Sequence, residues 1–230
     1  MATLGELAEA VAHEFRNPLA GVSAAVKIIR DGLEKDDPRI NIFDEIHFQT
    51  DRIENIVSNL LQFARKTTPP FSLYTIHEII EKTLHLFSFQ FEGQRIDVEK
   101  EFQDNLPQIY ADPDQIQHVL MSIVLNAIQS MSKGGKLQFK TFFRPEDGMV
   151  HLTIADTWKG ISEETLPKIF KPFYSTKAKG AGLGLAIVEK IIQEHNGKVS
   201  IFSKVEAGTT VEISLPTKPA SNDREVGSAC

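Results

Sequence analysis

The sequence predicts an α+β protein in which a dimeric helical-hairpin domain, forming a four-helix bundle, is followed by an α/β sandwich. Three observations support this fold class. Apolar residues within the first 66 positions recur at intervals of three and four, as in packed helices. Residues 67–70, Thr-Thr-Pro-Pro, then interrupt the helical periodicity. After them, helical and strand-like patterns follow one another, which is typical of a mixed sheet covered by helices on one face.

The first helix is predicted from apolar residues spaced alternately four and three apart. It ends at Gly32 and the polar residues 34–38, and a second apolar pattern runs from Ile42 to Phe63. A hairpin with so wide an apolar face cannot bury that face alone, so we expect a homodimeric four-helix bundle. The residues that define the first helix are Leu4, Ala8, Val11, Phe15, Pro18, Val22, Ala25 and Ile29.

The later part of the chain is predicted to alternate between helices and strands. The helix at residues 112–131 opens on Asp112-Pro113, a favourable N-cap followed by proline in the first turn. We therefore divide the chain into a hairpin at 1–66, a linker at 67–71, a sandwich at 72–217 and a flexible tail at 218–230. The predicted helices are 75–91, 112–131 and 182–195, and the predicted strands are 95–102, 136–143, 149–155, 198–204 and 209–215.

Composition excludes several classes of protein. The formal net charge is −6, which gives no support to a role in binding nucleic acid. No apolar run approaches the roughly 18 residues that a membrane-spanning helix needs, and the N-terminus has no secretory signal pattern. Cys230 is the single cysteine, so no disulfide can form within the chain. We expect a cytoplasmic location, with membrane attachment of a longer parent protein left open.

Residues 13–19, His-Glu-Phe-Arg-Asn-Pro-Leu, form the most informative motif of the hairpin. His13 lies two residues from the nearest apolar positions of the stripe, so its imidazole is predicted to point to solvent, where it can act as a nucleophile. Glu14 is adjacent and Asn17 lies one turn further on the same face. A lone histidine on such a helix is usually an ordinary surface residue. We expect surface or structural roles for His47, His77, His85, His118, His151 and His195.

The motif at 13–19 resembles the phosphoacceptor box of bacterial sensor histidine kinases, and most closely the nitrogen-regulation type. Phe15 stands at the variable apolar position of that box. The resemblance implies that His13 receives a phosphoryl group and that Glu14 is its general base. It also implies that Asn17 positions water when the phosphorylated partner is dephosphorylated.

Two later segments resemble the nucleotide-binding motifs of the same family. Residues 117–127 are similar to the asparagine box, which implies that Asn126 binds the Mg²⁺ that bridges the ATP phosphates; Ser122 stands where a second asparagine is common. Residues 156–161 resemble the Asp-x-Gly-x-Gly-Ile box. Asp156 would accept a hydrogen bond from the adenine amino group, and Gly160 would be the second glycine. Trp158 replaces the first glycine and brings a large ring to a position where close backbone approach is expected.

Three glycine- or aromatic-rich segments complete the resemblance, which covers about residues 3–216. Residues 170–177 are similar to the phenylalanine box and place Lys177 as a phosphate ligand, within a lid at about 162–182. Residues 180–185 match the second glycine box, whose backbone N–H groups approach phosphate at a helix N-terminus. A third glycine box follows at 208–210. The nucleotide-binding residues implied by these segments are Gly180, Gly182, Leu183, Gly184 and Thr209.

Together these motifs imply an ATP-dependent protein-histidine kinase that uses ATP and Mg²⁺. Residues 1–66 would dimerise and carry the phosphoacceptor, and 72–217 would bind ATP. A response-regulator receiver domain would accept the phosphoryl group on an aspartate, with a phosphatase activity also in the family's repertoire. Two alternatives stand beside this interpretation. Trp158 could impair ATP binding and leave a dimeric scaffold or phosphatase, or the chain could be another ATPase of the superfamily, against which the His13 motif argues.

Overall fold

The computed structural model describes residues 4–34, 37–64, 70–157, 159–177 and 182–218, with the side chains of 17–34, 37–50, 53, 54, 57 and all later described positions. The chain divides into two compact units. One contains residues 1–68 with 171–187, and the other contains residues 69–170 with 188–230. Among the described residues, no helix combines the length and the apolar character needed to cross a bilayer.

Two long helices form the predicted hairpin. Helix α1 spans Leu4–Asp31 and continues through Pro18, and α2 spans Ile40–Ala64 and packs along it. In the connection, Asp37 accepts hydrogen bonds from the backbone N–H and the guanidinium of Arg39, at 2.9 and 2.7 Å. An ion pair of 2.7 Å between Arg30 and Asp44 joins the two helices near this connection. The hairpin that periodicity predicts is therefore present.

The hairpin leaves much of its apolar surface uncovered. Among its described side chains, Val26 and Val57 are buried, whereas the large apolar residues at seven other positions are exposed. Where such exposed apolar residues adjoin one another, the surface usually marks an interaction site. The seven exposed residues are Val22, Ile28, Ile29, Ile42, Ile46, Phe48 and Ile53.

A five-stranded mixed sheet forms the centre of the second unit, with the strand order β2-β4-β5-β7-β6. β2 runs parallel to β4, and every other neighbouring pair is antiparallel. A separate two-stranded sheet joins β1 to β3. The strands are β1 Ser72–Tyr74, β2 Ile96–Phe102, β3 Ile109–Ala111, β4 Gly135–Arg144, β5 Met149–Asp156, β6 Lys198–Lys204 and β7 Gly208–Pro216.

One face of the large sheet is buried and the other is polar. Alternate residues of β4, β5 and β7 point to the buried face, and Phe139, Ile154 and Val211 form one row across it. On the other face, ion pairs join Lys136 to Glu99 and Lys140 to Glu101. The helices are α3 Ile76–Leu86, α4 Ser88–Gln94, α5 Pro113–Ser130 and α6 Gly184–Glu194. We call the part of this layered region within residues 70–170 and 188–218 the sandwich.

The sandwich differs from the sequence prediction at two places. The helix predicted at 75–91 is two helices, because the chain leaves helical geometry at Phe87 (φ −103°, ψ 3°). The Ser88 hydroxyl donates to the carbonyl of His85 at 2.9 Å, the local bonding by which serine competes with helix continuation. The short strands β1 and β3 were not predicted, since three residues are too few to show a period of two.

Candidate functional site

Asp156 lies at the carboxyl end of the central strand β5. Its Oδ1 accepts a hydrogen bond from the backbone N–H of Thr209 at 3.2 Å, across the register pair that these two residues form. Thr157 continues the pairing with β4, because its Oγ1 accepts from the backbone N–H of Lys136 at 2.9 Å. An ionised carboxylate has about four acceptor positions, so Asp156 can accept a further hydrogen bond from a donor on a ligand. The strand end therefore presents a fixed, half-buried acceptor.

The loop after Asp156 is bonded to the β6–β7 hairpin through Ser203. The Ser203 hydroxyl donates to the carbonyl of Gly208 at 2.9 Å and lies 2.9 Å from Thr209 Oγ1. It also accepts from the backbone N–H of Ile161 at 2.8 Å. One hydroxyl thus connects the predicted adenine-binding loop, at Ile161, to the start of β7, at Gly208 and Thr209. Sequence reasoning did not identify Ser203, because its position opposite Thr209 depends on the register of the β6–β7 pair.

Gly160 holds its loop directly against the β6–β7 turn. Its φ is +72°, and a Cβ at this position would lie 2.0 Å from the carbonyl oxygen of Lys204. The Glu206 N–H also donates to the carbonyl of Lys159 at 2.7 Å, and this bond holds the loop against the same turn. Glycine is therefore required at 160 for the loop to pack in this way. Trp158 lies outside the described residues.

Asn126 lies near the C-terminal end of α5, on a half-buried face of the helix. The helix begins as predicted: the Asp112 carboxylate accepts from the backbone N–H groups of Asp114 and Gln115, at 2.9 and 3.3 Å. Ser122, one turn before Asn126, is also half-buried. Neighbouring positions on the opposite face, such as Val124, belong to the core. The helix thus turns its amide-bearing face away from the densest packing.

The second predicted glycine box ends at the start of α6. Gly182 has a φ of +70°, and a Cβ there would lie 2.5–2.7 Å from backbone atoms of Phe173 and Tyr174. Leu183 is fully buried, and Gly184 is the first residue of α6. Lys177 is half-buried, and its backbone N–H donates to the Ser175 hydroxyl at 3.1 Å. Gly180 lies outside the described residues.

The phosphoacceptor motif lies within α1. The backbone at His13 and Glu14 is helical, as predicted, and the side chains of both residues are outside the described part of the chain. Asn17 is exposed. The structure thus brings Asp156, Gly160 and Thr209 together at one end of the sheet, and it leaves the predicted roles of the hairpin residues as predictions.

Three histidines outside the phosphoacceptor motif have structural contacts. His77 stacks on Phe102 with a centroid distance of 4.4 Å. His151 is buried with its Nε2 2.9 Å from a carboxylate oxygen of Asp147. His195 is buried at the end of α6. Burial is the main cause that lowers the pKa of both His77 and His195 below the ordinary value.

Two family models match the chain in succession. Residues 3–69 match the His Kinase A phosphoacceptor domain. Residues 111–219 match the histidine kinase-, DNA gyrase B- and HSP90-like ATPase domain. The chain belongs to the sensor histidine kinases and corresponds to their catalytic core. The predicted fold class is confirmed by the same matches and by the solved histidine kinase structures that resemble it.

Curated sensor kinases are similar to this histidine kinase core along nearly its whole length. Sensor histidine kinase ZraS of Escherichia coli is 32% identical over 97% of the chain and 48% of ZraS. The histidine-protein kinase AtoS of the same organism is 34% identical over 96% of the chain and 36% of AtoS. Sporulation kinase E of Bacillus subtilis is 31% identical, over 96% of the chain and 30% of its own length. The chain therefore spans less than half of these relatives.

Solved structures show the same arrangement of elements. Histidine kinase ThkA, in a crystal structure with the response regulator protein TrrA, has a TM-score of 0.71 and 28% identity over 95% of the chain and 63% of ThkA. Full-length ShkA in complex with AMPPNP has a TM-score of 0.75 over 94% of the chain and 46% of ShkA. At 23% identity, the likeness to ShkA shows the fold alone.

Proposed function

We propose that the chain phosphorylates His13 from Mg·ATP and transfers the phosphoryl group to an aspartate of a response-regulator receiver domain. The observation that carries the proposal is the fixed carboxylate of Asp156, held by Thr209 in a chain that also contains a phosphoacceptor-domain match. We assign residues 1–66 to dimerisation and phosphoacceptance, 67–71 to the linker, and 72–217 to ATP binding. Residues 218–230 are assigned to a tail, of which residues 219–230 lie outside the described part of the chain.

The described residues fit a bound adenine nucleotide. Asp156 would accept the adenine amino group, a donor that guanine lacks at this position, and would thereby select ATP. Asn126 offers an amide oxygen, a ligand type that Mg²⁺ takes readily. The first backbone N–H groups of α6, from Gly184 on, have no partner within the helix itself, and such groups favour phosphate oxygens. We assign Lys177, Gly180, Gly182 and Leu183 to the same phosphate-binding segment, and Gly160 and Thr209 to the loops that hold Asp156.

The chemistry at His13 is a direct phosphoryl transfer. ATP, when bound, supplies an activated γ-phosphoryl group. A neutral imidazole nitrogen of His13 forms a bond to that phosphorus as the bond to the ADP oxygen breaks. Glu14 accepts a hydrogen bond from the other ring nitrogen, which fixes the tautomer whose attacking nitrogen is unprotonated, and it takes that proton as the nitrogen–phosphorus bond forms. Positioning by the residues of the sandwich, together with neutralisation of phosphate charge, lowers the barrier.

A response regulator and a second copy of the chain are the proposed partners. ThkA, which is similar over 95% of this chain, was crystallised with the response regulator TrrA. The exposed apolar residues of α1 and α2 supply the surface that a second hairpin would cover. We propose that the regulator docks beside His13, and that Asn17 positions water when the phosphorylated regulator is hydrolysed, which would give the chain phosphatase activity.

Trp158 motivates the second candidate function, an ATP-binding-impaired dimer that acts as a scaffold or phosphatase. Gly160 packs so closely against the β6–β7 turn that a Cβ is not accommodated there. A bulky ring two residues earlier, where the family has glycine, would interfere with adenine if it pointed into the site.

Autophosphorylation with γ-labelled ATP separates these functions. The parent chain is expected to incorporate label in the presence of Mg²⁺, and the label should be lost in acid and retained in base, as for phosphohistidine. Label on Trp158→Gly alone would instead establish the impaired form. Label on neither chain would contradict the kinase proposal. The superfamily ATPase alternative predicts that His13→Gln hydrolyses ATP as fast as the parent.

A further inference from the structure

His195 is a buried histidine that none of the nucleotide-binding motifs includes. It follows α6 directly, and only 1% of its surface is exposed. Both ring nitrogens have partners within the sandwich. Nδ1 lies 2.8 Å from the carbonyl oxygen of Ile191, one turn back in α6, and Nε2 accepts a hydrogen bond from the backbone N–H of Asp112 at 3.0 Å.

These partners determine the charge and the tautomer of His195. The Ile191 carbonyl can only accept a hydrogen bond, so Nδ1 must carry a proton. The Asp112 N–H can only donate, so Nε2 must be unprotonated and the ring neutral. Burial, the largest influence, lowers the pKa of His195, while the Ile191 carbonyl and the charges of Asp112 and Glu194 oppose this shift. Protonation would place an N–H at Nε2 that faces the N–H of Asp112. Two donors cannot bond to each other, so the hydrogen bond to Asp112 would be lost.

The hydrogen bond joins the ends of two helices that carry nucleotide-binding residues. Asp112 is the N-cap of α5, the helix of Asn126, and its carboxylate is already engaged with the first turn. His195 directly follows α6, and residues 188–194 of that helix belong to the same unit as α5. Because a helix is stiff over ten to twenty residues, fixing the N-cap of α5 limits where Asn126, near its C-terminal end, can lie. One imidazole therefore acts on both helices.

Aromatic packing holds the ring in this orientation. Phe71, the last residue of the predicted linker, contacts His195 edge to face at a centroid distance of 4.7 Å. Phe71 in turn stacks on Tyr110, the residue two before Asp112, at 5.5 Å. The imidazole is thus confined between α5, α6 and the start of the sandwich, an arrangement that favours a single rotamer.

We propose that His195 is a positioning residue for nucleotide binding, which aligns α5 and α6 through its hydrogen bond to the N-cap of α5. The inference rests on the proposed ATP site and adds a residue that touches no nucleotide atom itself. It concerns the affinity for nucleotide and is separable from the phosphoryl transfer at His13.

Two substitutions distinguish the hydrogen bond to Asp112 from the local bond to Ile191. In His195→Gln, the side-chain carbonyl can replace Nε2 as the acceptor for the Asp112 N–H. In His195→Asn, the shorter amide can replace the Nδ1 donor toward Ile191 but does not reach Asp112. His151→Asn is the matched control, since His151 is also a buried histidine of the sandwich, and its partners among the described residues, Asp147 and Glu212, lie outside α5 and α6.

For each chain we measure the affinity for Mg·ATP by calorimetry and the midpoint of thermal unfolding. The dissociation constant of His195→Asn is expected to rise about fivefold or more, that of His195→Gln to stay within about twofold, and that of His151→Asn to stay unchanged even if its midpoint falls. An unchanged dissociation constant for His195→Asn would overturn the proposal, as would equal losses in the Asn and Gln variants. A parent chain that binds no ATP would overturn the proposed function, and this inference with it.

A measurement on the parent chain covers the case in which a variant does not fold. If the neutral ring of His195 supports nucleotide binding, Mg·ADP must make its protonation less favourable, because coupling between sites is reciprocal. Titration of the His195 ring by nuclear magnetic resonance is expected to show a lower pKa with Mg·ADP than without it. An unchanged pKa on saturation would contradict the positioning role.

Discussion

The hairpin and the sandwich differ in what happens to their apolar side chains. The sandwich places most of its large apolar residues in a core between the sheet and its helices, with residues such as Leu120 and Ile213 almost fully buried. Among the described side chains of the hairpin, more large apolar residues are exposed than buried. The described apolar side chains of the sandwich are therefore largely covered within the chain, whereas many of those in the hairpin are left for a further surface to cover.

The difference matches the division of chemical roles. A nucleotide site requires fixed donors and acceptors, and the sandwich supplies them through bonds such as that between Asp156 and Thr209. A phosphoacceptor must meet both a nucleotide and a regulator, so an exposed position on a long helix suits it. The exposed Asn17, four residues beyond His13, lies on such a helix.

The largest expected effect concerns the core of the sandwich. Leu120→Ala removes a side chain that is 1% exposed, and it should lower the free energy of unfolding by about 2–5 kcal/mol at any protein concentration. Urea unfolding followed by circular dichroism, at two protein concentrations, measures this. A loss below about 1 kcal/mol would mean that the core is far looser than its burial indicates.

The second prediction tests the hairpin's need for a partner. Ile28 is 74% exposed on α1, and Ile28→Asp should weaken dimerisation by roughly 2 kcal/mol, about thirtyfold in the dissociation constant. Phe89→Asp is the control, because Phe89 is 84% exposed on α4 of the sandwich and should leave dimerisation unchanged. Sedimentation equilibrium measures the dimer dissociation constant of both variants. A parent chain that is monomeric at all concentrations would contradict the prediction that a second hairpin covers the exposed apolar residues.

The third prediction concerns the strand end. Asp156→Asn keeps an acceptor for the Thr209 N–H but replaces one carboxylate oxygen by a donor, so ATP affinity should fall about tenfold, or 1.4 kcal/mol. Asp147→Asn, a carboxylate at the opposite end of the β4–β5 hairpin, should leave ATP affinity unchanged. Calorimetry with Mg·ATP measures both, and equal affinities for the two variants would place the adenine elsewhere.

The smallest expected effect is an acid sensitivity of the sandwich. The folded-state pKa of His195 is lowered from 6.5 mainly by burial, against the opposing charges of Asp112 and Glu194, so the unfolded chain binds the proton more readily. Its contribution to stability is complete above pH 6.5 and declines as the pH falls toward the folded pKa. The stability advantage of the parent over His195→Gln should therefore shrink between about pH 7.5 and about pH 5.5, as read by urea unfolding. A constant difference would mean that the imidazole tolerates protonation.

Local patterns predicted the helices and long strands well. The N-cap chemistry of Asp112 located α5 to within a residue, and alternation located β4 to β7 closely. Phe87 was included in one helix because its apolar side chain suits the helical pattern, while the break depends on backbone bonding at Ser88.

The contacts that sequence reasoning missed are those made between distant segments. Ser203 and His195 belong to no motif, and their roles arise from partners 42 and 83 residues away in the chain. Such partners are known only after the sheet register and helix packing are known. The family motifs, in contrast, depend only on local sequence, and so they named Asp156 and Gly160 as candidates without a structure; contact of these residues with nucleotide stays a prediction.

In the proposed function, the phosphoryl acceptor and the nucleotide site lie in different regions of the chain. His13→Gln, measured both for Mg·ATP affinity by calorimetry and for label incorporation from γ-labelled ATP, tests it most directly. We expect the variant to bind ATP as tightly as the parent and to incorporate no label. Label on His13→Gln, or loss of its ATP binding with the fold intact, would contradict the account.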